Sequence, residues 1–392
     1  MPDQPSTPPS SGQRPLEGVL VADFSRVLAG PLATMTLADL GARVVKVERP
    51  GTGDDTRSWG PPFSATGATY FESVNRNKES VCLDLADPAD RGLARDLALR
   101  ADVLVENFKP GGLAKLGLGY EELATENPGL VYASISGFGS AAGAALPGYD
   151  FIVQALGGLM SITGDAGGSP YKAGVALVDV LTAKDATIGI LAALNARAAT
   201  GRGSRLEVNL LSSLQGALAN QAQAWLGAGV VPGRMGNAHP SIVPYQLLDC
   251  ADGPLAVACG NDGQFARLTE VLGVPKLAAD ARFATNSARV QHRGELIPLL
   301  EQALSAAGAQ VWQDKLTGAG VPAGHVATIA EGLDYAEALG LDPVIEVQDG
   351  SGHSVGRQVR HPVSWTPPLP ARTQAPPALG EHTDSVKAWL RG

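Results

Sequence analysis

Between residues 148 and 179 the chain carries Gly148-Tyr149-Asp150, Gln154-Ala155, Gly157-Gly158, Thr163-Gly164, Pro170 and Gly174, and it ends on Asp179, a single carboxylate at the entrance of an apolar stretch. Leu181, Ile188, Leu191 and Leu194 recur at helical spacing behind it and Gly201 supplies a stop, so the spacing predicts a helix over about 180–199. A carboxylate at such an entrance faces the free N–H groups and the positive end of the helix, which favour an anion. Two uses fit the residue: Asp is a preferred N-cap, and a carboxylate is also a nucleophile toward an activated carbonyl. The glycines upstream let backbone approach something large, and no rival constellation competes, which favours chemistry. Capping and chemistry are compatible.

Other signatures are missing. Cys82, Cys250 and Cys259 are odd in number and lack the close pairing of metal or redox motifs, so apolar packing is their expected role. The six histidines are scattered, with no H-x-x-x-H pair, so no metal site is expected. There is no G-x-S-x-G elbow, and Gly51-Thr52-Gly53-Asp54-Asp55-Thr56-Arg57 lacks the G-x-G-x-x-G spacing and follows the wrong strand for a nicotinamide loop. Lys46, Arg49, Arg57, Arg76, Lys78, Lys109 and Lys115 fall at or near predicted strand ends, where several could reach a polyanionic ligand. The loop from Arg234 to Tyr245 gathers an Arg, Asn237, His239, Ser241 and a Tyr; it reads equally as a carboxylate-recognition loop and as a connector held by its own side chains.

These residues need elements to position them. Val19–Phe24 and Arg43–Glu48 read as strands around a helix over Pro31–Leu40; Ser80–Leu85, Val103–Glu106 and Val131–Ser136, with a helix at about 87–101, continue the alternation. An α/β fold with an open parallel sheet follows, and ligands of such sheets bind beyond the carboxyl ends of the strands. After Arg205 a strand to about Asn209, a long helix to about Leu226, a strand at Leu255–Cys259 and helices near 264–272, 294–307 and 310–317 suggest a smaller mixed domain. Gly350-Ser351-Gly352 signals a hairpin within 344–365, and 367–377 is too proline-rich for regular structure. With 392 residues and 44% hydrophobic content two domains are expected, and 30 basic against 39 acidic residues (net −9) argue against nucleic acid or an anionic membrane surface as partner. Residues 1–15 read as a disordered lead without the features of an export signal, and no window qualifies as a membrane span, so the cytoplasm is the expected location.

The runs Leu16-Glu17-Gly18-Val19, Asp23-Phe24-Ser25-Arg26-Val27-Leu28-Ala29-Gly30-Pro31, Gly41 to Gly51 and Gly53-Asp54 resemble the N-terminal signature of the family III CoA-transferases. Asn75-Arg76-Asn77-Lys78, Val105 to Gly111, Gly201-Arg202-Gly203 and Leu379-Gly380-Glu381-His382-Thr383 extend the resemblance in the family's order from about 16 to 386. Within the family the chain is most similar to the succinate-hydroxymethylglutarate, or dicarboxylate, group, through Asp54 to Phe63, Asn209 to Ser213, and His239 with Ser241 to Gln246.

The resemblance implies a Rossmann-like large domain over 16–204, a linker and small α+β domain over 205–335, a C-terminal segment over 336–392 returning to the large domain, and two ring-like chains interlocked as a homodimer. It implies transfer of CoA from an acyl-CoA, succinyl-CoA in this group, to a free dicarboxylate such as glutarate or a hydroxylated relative. Asp179 matches the nucleophile, ionised at neutral pH, and Asp150 a nearby acidic position. Acyl anhydride and aspartyl-CoA thioester intermediates exchange one activated carbonyl for another, so no permanent cofactor is needed and CoA itself is substrate. Val27, Leu28, Arg49, Leu83, Asp84, Asn107, Phe108, Lys109, Lys115 and Tyr149 would hold CoA; Arg57, His239 and Ser241 would meet the acid. Leu28 stands where formyl-CoA transferases carry a glutamine, Pro147 where they carry a lysine, and the His239 loop replaces their glycine-rich flap, which speaks against oxalate or formate. The alternative is an acyl-CoA racemase, which shares the fold but pairs its Asp with a histidine; Tyr149 occupies that position, and a phenol is a far poorer base near neutral pH than an imidazole. A CoA-sensing protein without turnover is a third reading, and an intact Asp179 argues against it.

Overall fold

The computed structural model describes residues 14–392; residues 1–13, most of the expected lead, lie outside the described part. The chain forms two compact units, one of residues up to Gly157, Ala173–Gln223 and Gly340–Gly392, the other of Gly158–Lys172 and Ala224–Leu339.

Short apolar strands alternating with helices build the first unit. In order these are β1 (Leu20–Asp23), α1 (Ala29–Asp39), β2 (Arg43–Glu48), α2 (Thr69–Glu72), β3 (Lys78–Cys82), α3 (Pro88–Arg100), β4 (Val103–Glu106), α4 (Tyr120–Glu126), β5 (Val131–Ser136), α5 (Asp150–Leu156), α6 (Leu177–Thr200) and β6 (Arg205–Asn209). The six strands form one all-parallel sheet in the order β3-β2-β1-β4-β5-β6. The order reverses at β1, so β1 and β4 flank a switch point with a crevice beyond their carboxyl ends. Strand β6, expected to open the second region, instead pairs with β5 from Arg205 to Asn209 and closes the edge of the large sheet. Its Arg205 and Glu207 are exposed, as suits an edge strand, and that polarity hides its partner in the sequence.

Helix boundaries follow local chemistry. Asp87 caps α3, accepting from the N–H groups of Ala89 and Asp90 at 2.9 Å each, and Pro88 opens the first turn. Helix α1 starts two residues before Pro31, because a proline in the first turn has no N–H to leave unpaired. Helix α6 ends where expected, with Gly201 in the left-handed conformation at φ 68°. The single helix expected after β6 is two, α7 (Leu210–Ala217) and α8 (Ala219–Ala228), broken where Ala219 takes φ 42°.

The second unit holds the antiparallel strands β7 (Tyr245–Asp249) and β8 (Pro254–Ala258), then α9 (Asp262–Val271), α10 (Lys276–Ala279), α11 (Asn286–Gln291), α12 (Arg293–Leu304), α13 (Ala309–Gly318), the third strand β9 (Ala323–His325) and α14 (Ile329–Ala338). Phe265 and Leu268 of α9, Leu296, Leu300 and Leu304 of α12, and Trp312 and Leu316 of α13 recur every three or four residues and form its core with Leu248, Leu255 and Val257. The chain then returns to the first unit as the hairpin β10 (Val344–Gln348) and β11 (Ser354–Val359), turned at Gly352, and ends in α15 (Thr383–Arg391). Val386 and Leu390 of α15 pack into the sheet core with Leu97, Leu104 and Tyr132. Cys259 is buried and Cys82 and Cys250 are half-buried, all as free thiols. Among the described residues no helix is long and apolar enough to cross a membrane.

The sheet core of the first unit also contains charge. Four of the basic residues expected to face a polyanion are instead committed internally: Lys46 to Asp54 (2.9 Å), Lys78 to Asp23 (3.1 Å), Arg57 to Glu48 (2.7 Å) and Arg76 to Asp39 (2.6 Å). Lys46, Lys78 and Asp23 are fully buried, and a buried ion persists only with a partner. Burial works to raise the Asp23 pKa, but Lys78 and Lys46 outweigh it and leave the carboxyl at about 2. Burial pulls Lys78 down to about 8 against the opposing pull of Asp23. Ser25 and Thr34 also donate to Asp23, at 2.5 and 2.7 Å. Replacing Asp23 by Ala strands these charges and should cost about 3–5 kcal/mol in urea denaturation at pH 7. Replacing Arg95, whose pair with Glu126 is exposed and screened by water, should leave the urea midpoint nearly unchanged. Equal losses would contradict this assignment.

Candidate active site

Helix α6 begins without a side-chain cap of its own, since Ala176 is its N-cap residue. The cap comes from α5. Asp150 Oδ1 accepts from the N–H groups of Val178 (2.7 Å) and Asp179 (3.2 Å), and Asp150 Oδ2 accepts from Gln154 Nε2 at 2.6 Å. Gln154 is fully buried, and its carbonyl accepts from the Ala173 N–H at 2.9 Å, which ties α5 to the segment leading into α6. Asp179 is therefore not the N-cap. It sits within the first turn, partly buried, and its carboxylate takes no hydrogen bond from the described residues.

This sets the acidity of Asp179. Burial, and then the charge of Asp150, push its carboxyl up to about 7. The expectation of a fully ionised carboxylate at neutral pH is corrected: the helix end favours the anion, but the loss of water and the neighbouring carboxylate outweigh it, and the group is near half-ionisation at pH 7. Tyr70 of α2, which the sequence did not single out, shares this field. Burial raises its phenol first, then Asp179, Asp150 and Asp54, to about 12. Its ring meets Trp59 edge-on at 5.2 Å.

Asp179 and Asp150 line a cleft of about 260 Å³ together with Val27, Leu28, Asn107, Phe108, Lys109 and Tyr149. The structure thus brings eight of the expected residues to the crevice beyond β1 and β4. Asn107 stitches these two strand ends together: its Oδ1 accepts from the Arg26 N–H (2.9 Å) and its Nδ2 donates to the Arg26 carbonyl (2.7 Å). Val27 then takes φ 71°, a left-handed conformation rare for a β-branched residue and costing about 1–2 kcal/mol. Arg49, Leu83 and Asp84 line a second cleft of about 260 Å³, which shares Arg26 and Phe108 with the first.

Other expected residues lie elsewhere. Lys115 is exposed in the turn Ala114–Leu116 and lines neither cleft. Arg57 is not free to meet a substrate acid: Nε and Nη2 grip both oxygens of Glu48 at 2.8 and 2.7 Å, Nη2 also donates to the Pro377 carbonyl, and the guanidinium lies 3.7 Å from the Phe71 ring centroid. A bidentate, stacked arginine of this kind is a structural clamp. His239 and Ser241 belong to the second unit, where His239 Nδ1 accepts from the Ser241 N–H at 3.0 Å and the ring leans on Tyr245 at 5.2 Å. Arg293 donates to the His239 carbonyl, and Arg234 donates to the carbonyls of Asp165 and Gly168, so this loop is held largely by its own unit's side chains.

Comparison with known proteins agrees with this geometry. A family model described as CoA-transferase family III matches residues 16–383. The succinate–glutarate CoA-transferase of Agrobacterium fabrum is 44% identical over 405 aligned positions, covering 100% of this chain and 98% of that one. The succinyl-CoA:glutarate CoA-transferase of Mus musculus is 41% identical over 95% of this chain and 86% of its own. Among solved structures, a CAIB/BAIF family protein from Brucella suis, 43% identical, superposes with a TM-score of 0.86 over 96% of this chain and all of that one. With an all-parallel six-stranded sheet, a switch-point cleft and a match over nearly its whole length, the chain belongs to the family III CoA-transferases and is an enzyme that transfers CoA.

Proposed function

We propose that the chain moves CoA from succinyl-CoA to glutarate or a closely related dicarboxylate, with Asp179 as the nucleophile. The similarity to proteins named for succinate, succinyl-CoA and glutarate supports the substrates. The observation that carries the mechanism is the carboxylate of Asp179, which takes no hydrogen bond from the described residues, on the wall of the switch-point cleft, with its pKa at about 7. A carboxylate this basic is a better nucleophile than an ordinary aspartate and is still ionised in a large fraction at neutral pH.

An Asp179 oxygen attacks the succinyl carbonyl; the C–S bond breaks, CoA leaves as thiolate, and a mixed anhydride remains. The thiolate attacks the aspartyl carbonyl of that anhydride, forming an aspartyl-CoA thioester and releasing succinate. The acceptor carboxylate attacks this thioester and expels the thiolate again, which then takes the acceptor's acyl carbon and frees Asp179. Val27, Leu28 and Asn107–Lys109 form the wall for the thioester arm. Arg49, Leu83 and Asp84 in the adjoining cleft take the nucleotide end. We also read the enzyme as a homodimer, since Phe151 and Leu156 of α5 and Ile188 of α6 are more than half exposed, and large apolar side chains in water mark interfaces.

Asp179→Asn should lower transfer from succinyl-CoA to glutarate on the order of 10³-fold or more, read as new thioester by mass. Activity within tenfold of the parent would contradict the assignment. Because the ionised form attacks, kcat/KM should rise with pH through about 7 and level off above it. In Asp150→Asn the amide oxygen still accepts from α6 but the charge is gone, so the inflection should move to lower pH; an active variant with an unmoved inflection would show that Asp150 does not set the acidity of Asp179. Sedimentation at micromolar concentration should return twice the chain mass, and a monomer there would refute the dimer.

A further inference from the structure

The loop between β1 and α1 has almost no backbone partners. Side chains hold it instead. The Ser25 N–H donates to Asp23 (2.9 Å), the Ser25 carbonyl accepts from Lys46 (2.8 Å), the backbone N–H and carbonyl of Arg26 pair with Asn107, and the Val27 N–H donates to the two oxygens of Asp54 (3.3 and 3.2 Å). Asp54 is itself fixed from several sides: it is 1% exposed, meets Lys46 at 2.9 Å, and accepts from the Thr56 N–H and hydroxyl at 3.0 and 2.8 Å. Its own N–H donates to Glu48 at 3.0 Å, the carboxylate that Arg57 grips. The charged chain from Arg57 through Glu48 to Asp54 and Lys46 thus meets the loop at two backbone groups, the Ser25 carbonyl through Lys46 and the Val27 N–H through Asp54.

That N–H belongs to Val27, whose left-handed conformation a β-branched side chain resists. Left to itself, Val27 would relax to negative φ and turn the chain away from its course. The course matters because Val27, Leu28 and Ala29 are consecutive residues of the cleft that holds Asp179. We propose that Asp54 is a positioning residue for thioester turnover: its carboxylate holds Val27 left-handed, and so holds the 27–29 wall in register with Asp179. The inference rests on the reading of this cleft as the site of CoA transfer.

A glycine takes positive φ without a clamp, which separates positioning from mere stabilisation. In the full chain, Asp54→Ala should lower kcat/KM for CoA transfer on the order of a hundredfold, as displacements of reacting groups by an ångström do. In the Val27→Gly background the same substitution should cost no more than about fivefold. The melting temperature should fall equally in both backgrounds, because the buried Lys46–Asp54 pair is lost in each. If Asp54→Ala does not accumulate, Asp54→Leu, which fills a similar volume and offers the Val27 N–H no acceptor, serves in the same cycle. Equal losses of kcat/KM in both backgrounds would overturn the proposal. A parent enzyme with no Asp179-dependent transfer would overturn the underlying reading instead, so the two failures are distinguishable.

Discussion

Two carboxylates compete for the entrance of one helix, and the rest of the site follows from which of them receives the hydrogen bonds. Asp150 takes the N–H groups of Val178 and Asp179 and the amide of Gln154; the Asp179 carboxylate, on one of those same donor residues, takes no hydrogen bond from the described residues. An anion without donors, partly removed from water and beside a like charge, is raised in energy relative to its protonated form. That is how a residue with the intrinsic acidity of any aspartate reaches a pKa of about 7. Had Asp179 been the cap, the same helix end would have stabilised its charge and lowered its basicity.

The fold supplies this arrangement by bringing distant segments to one crevice. Strands β1 and β4 end side by side, Asn107 joins their ends, and α5 and α6 bring the carboxylates to the same opening. Buried ions give the strand ends their rigidity. Lys46 and Lys78 lie inside the sheet with Asp23 and Asp54, an arrangement that contributes little net stability against apolar packing but penalises any conformation that separates the partners. The basic residues that look like anion ligands in the sequence therefore serve the chain's own acids, and the net charge of −9 is compatible with an anionic substrate because Arg49 and Lys109 remain on the cleft walls.

Much of this architecture is legible in the sequence. Val103–Glu106, Arg43–Glu48 and Val131–Ser136 occur as strands with the expected limits, because short segments rich in Val, Leu and Ile stand between turn residues. Asp87-Pro88 and Gly201 likewise announce helix ends through local chemistry. What was not legible depends on contacts between residues far apart in the chain. Nothing near Lys78 shows that Asp23 is its partner, nothing near Arg57 shows that Glu48 takes both its donors, and the half-exposed pattern of β6 does not reveal the sheet it joins. Asp179 stands out by its place before an apolar helix, but its capping competitor is 29 residues upstream, and only the packing of α5 on α6 shows which carboxylate caps the helix.

The central claim is a covalent one, and it is tested most directly by trapping the acylated enzyme. Purified protein incubated with succinyl-CoA alone, quenched with hydroxylamine and digested, should yield a hydroxamate on the peptide that contains Asp179 and on no other. Continued CoA transfer under the same conditions with residue 179 unmodified, or with the label on another side chain, would contradict the account.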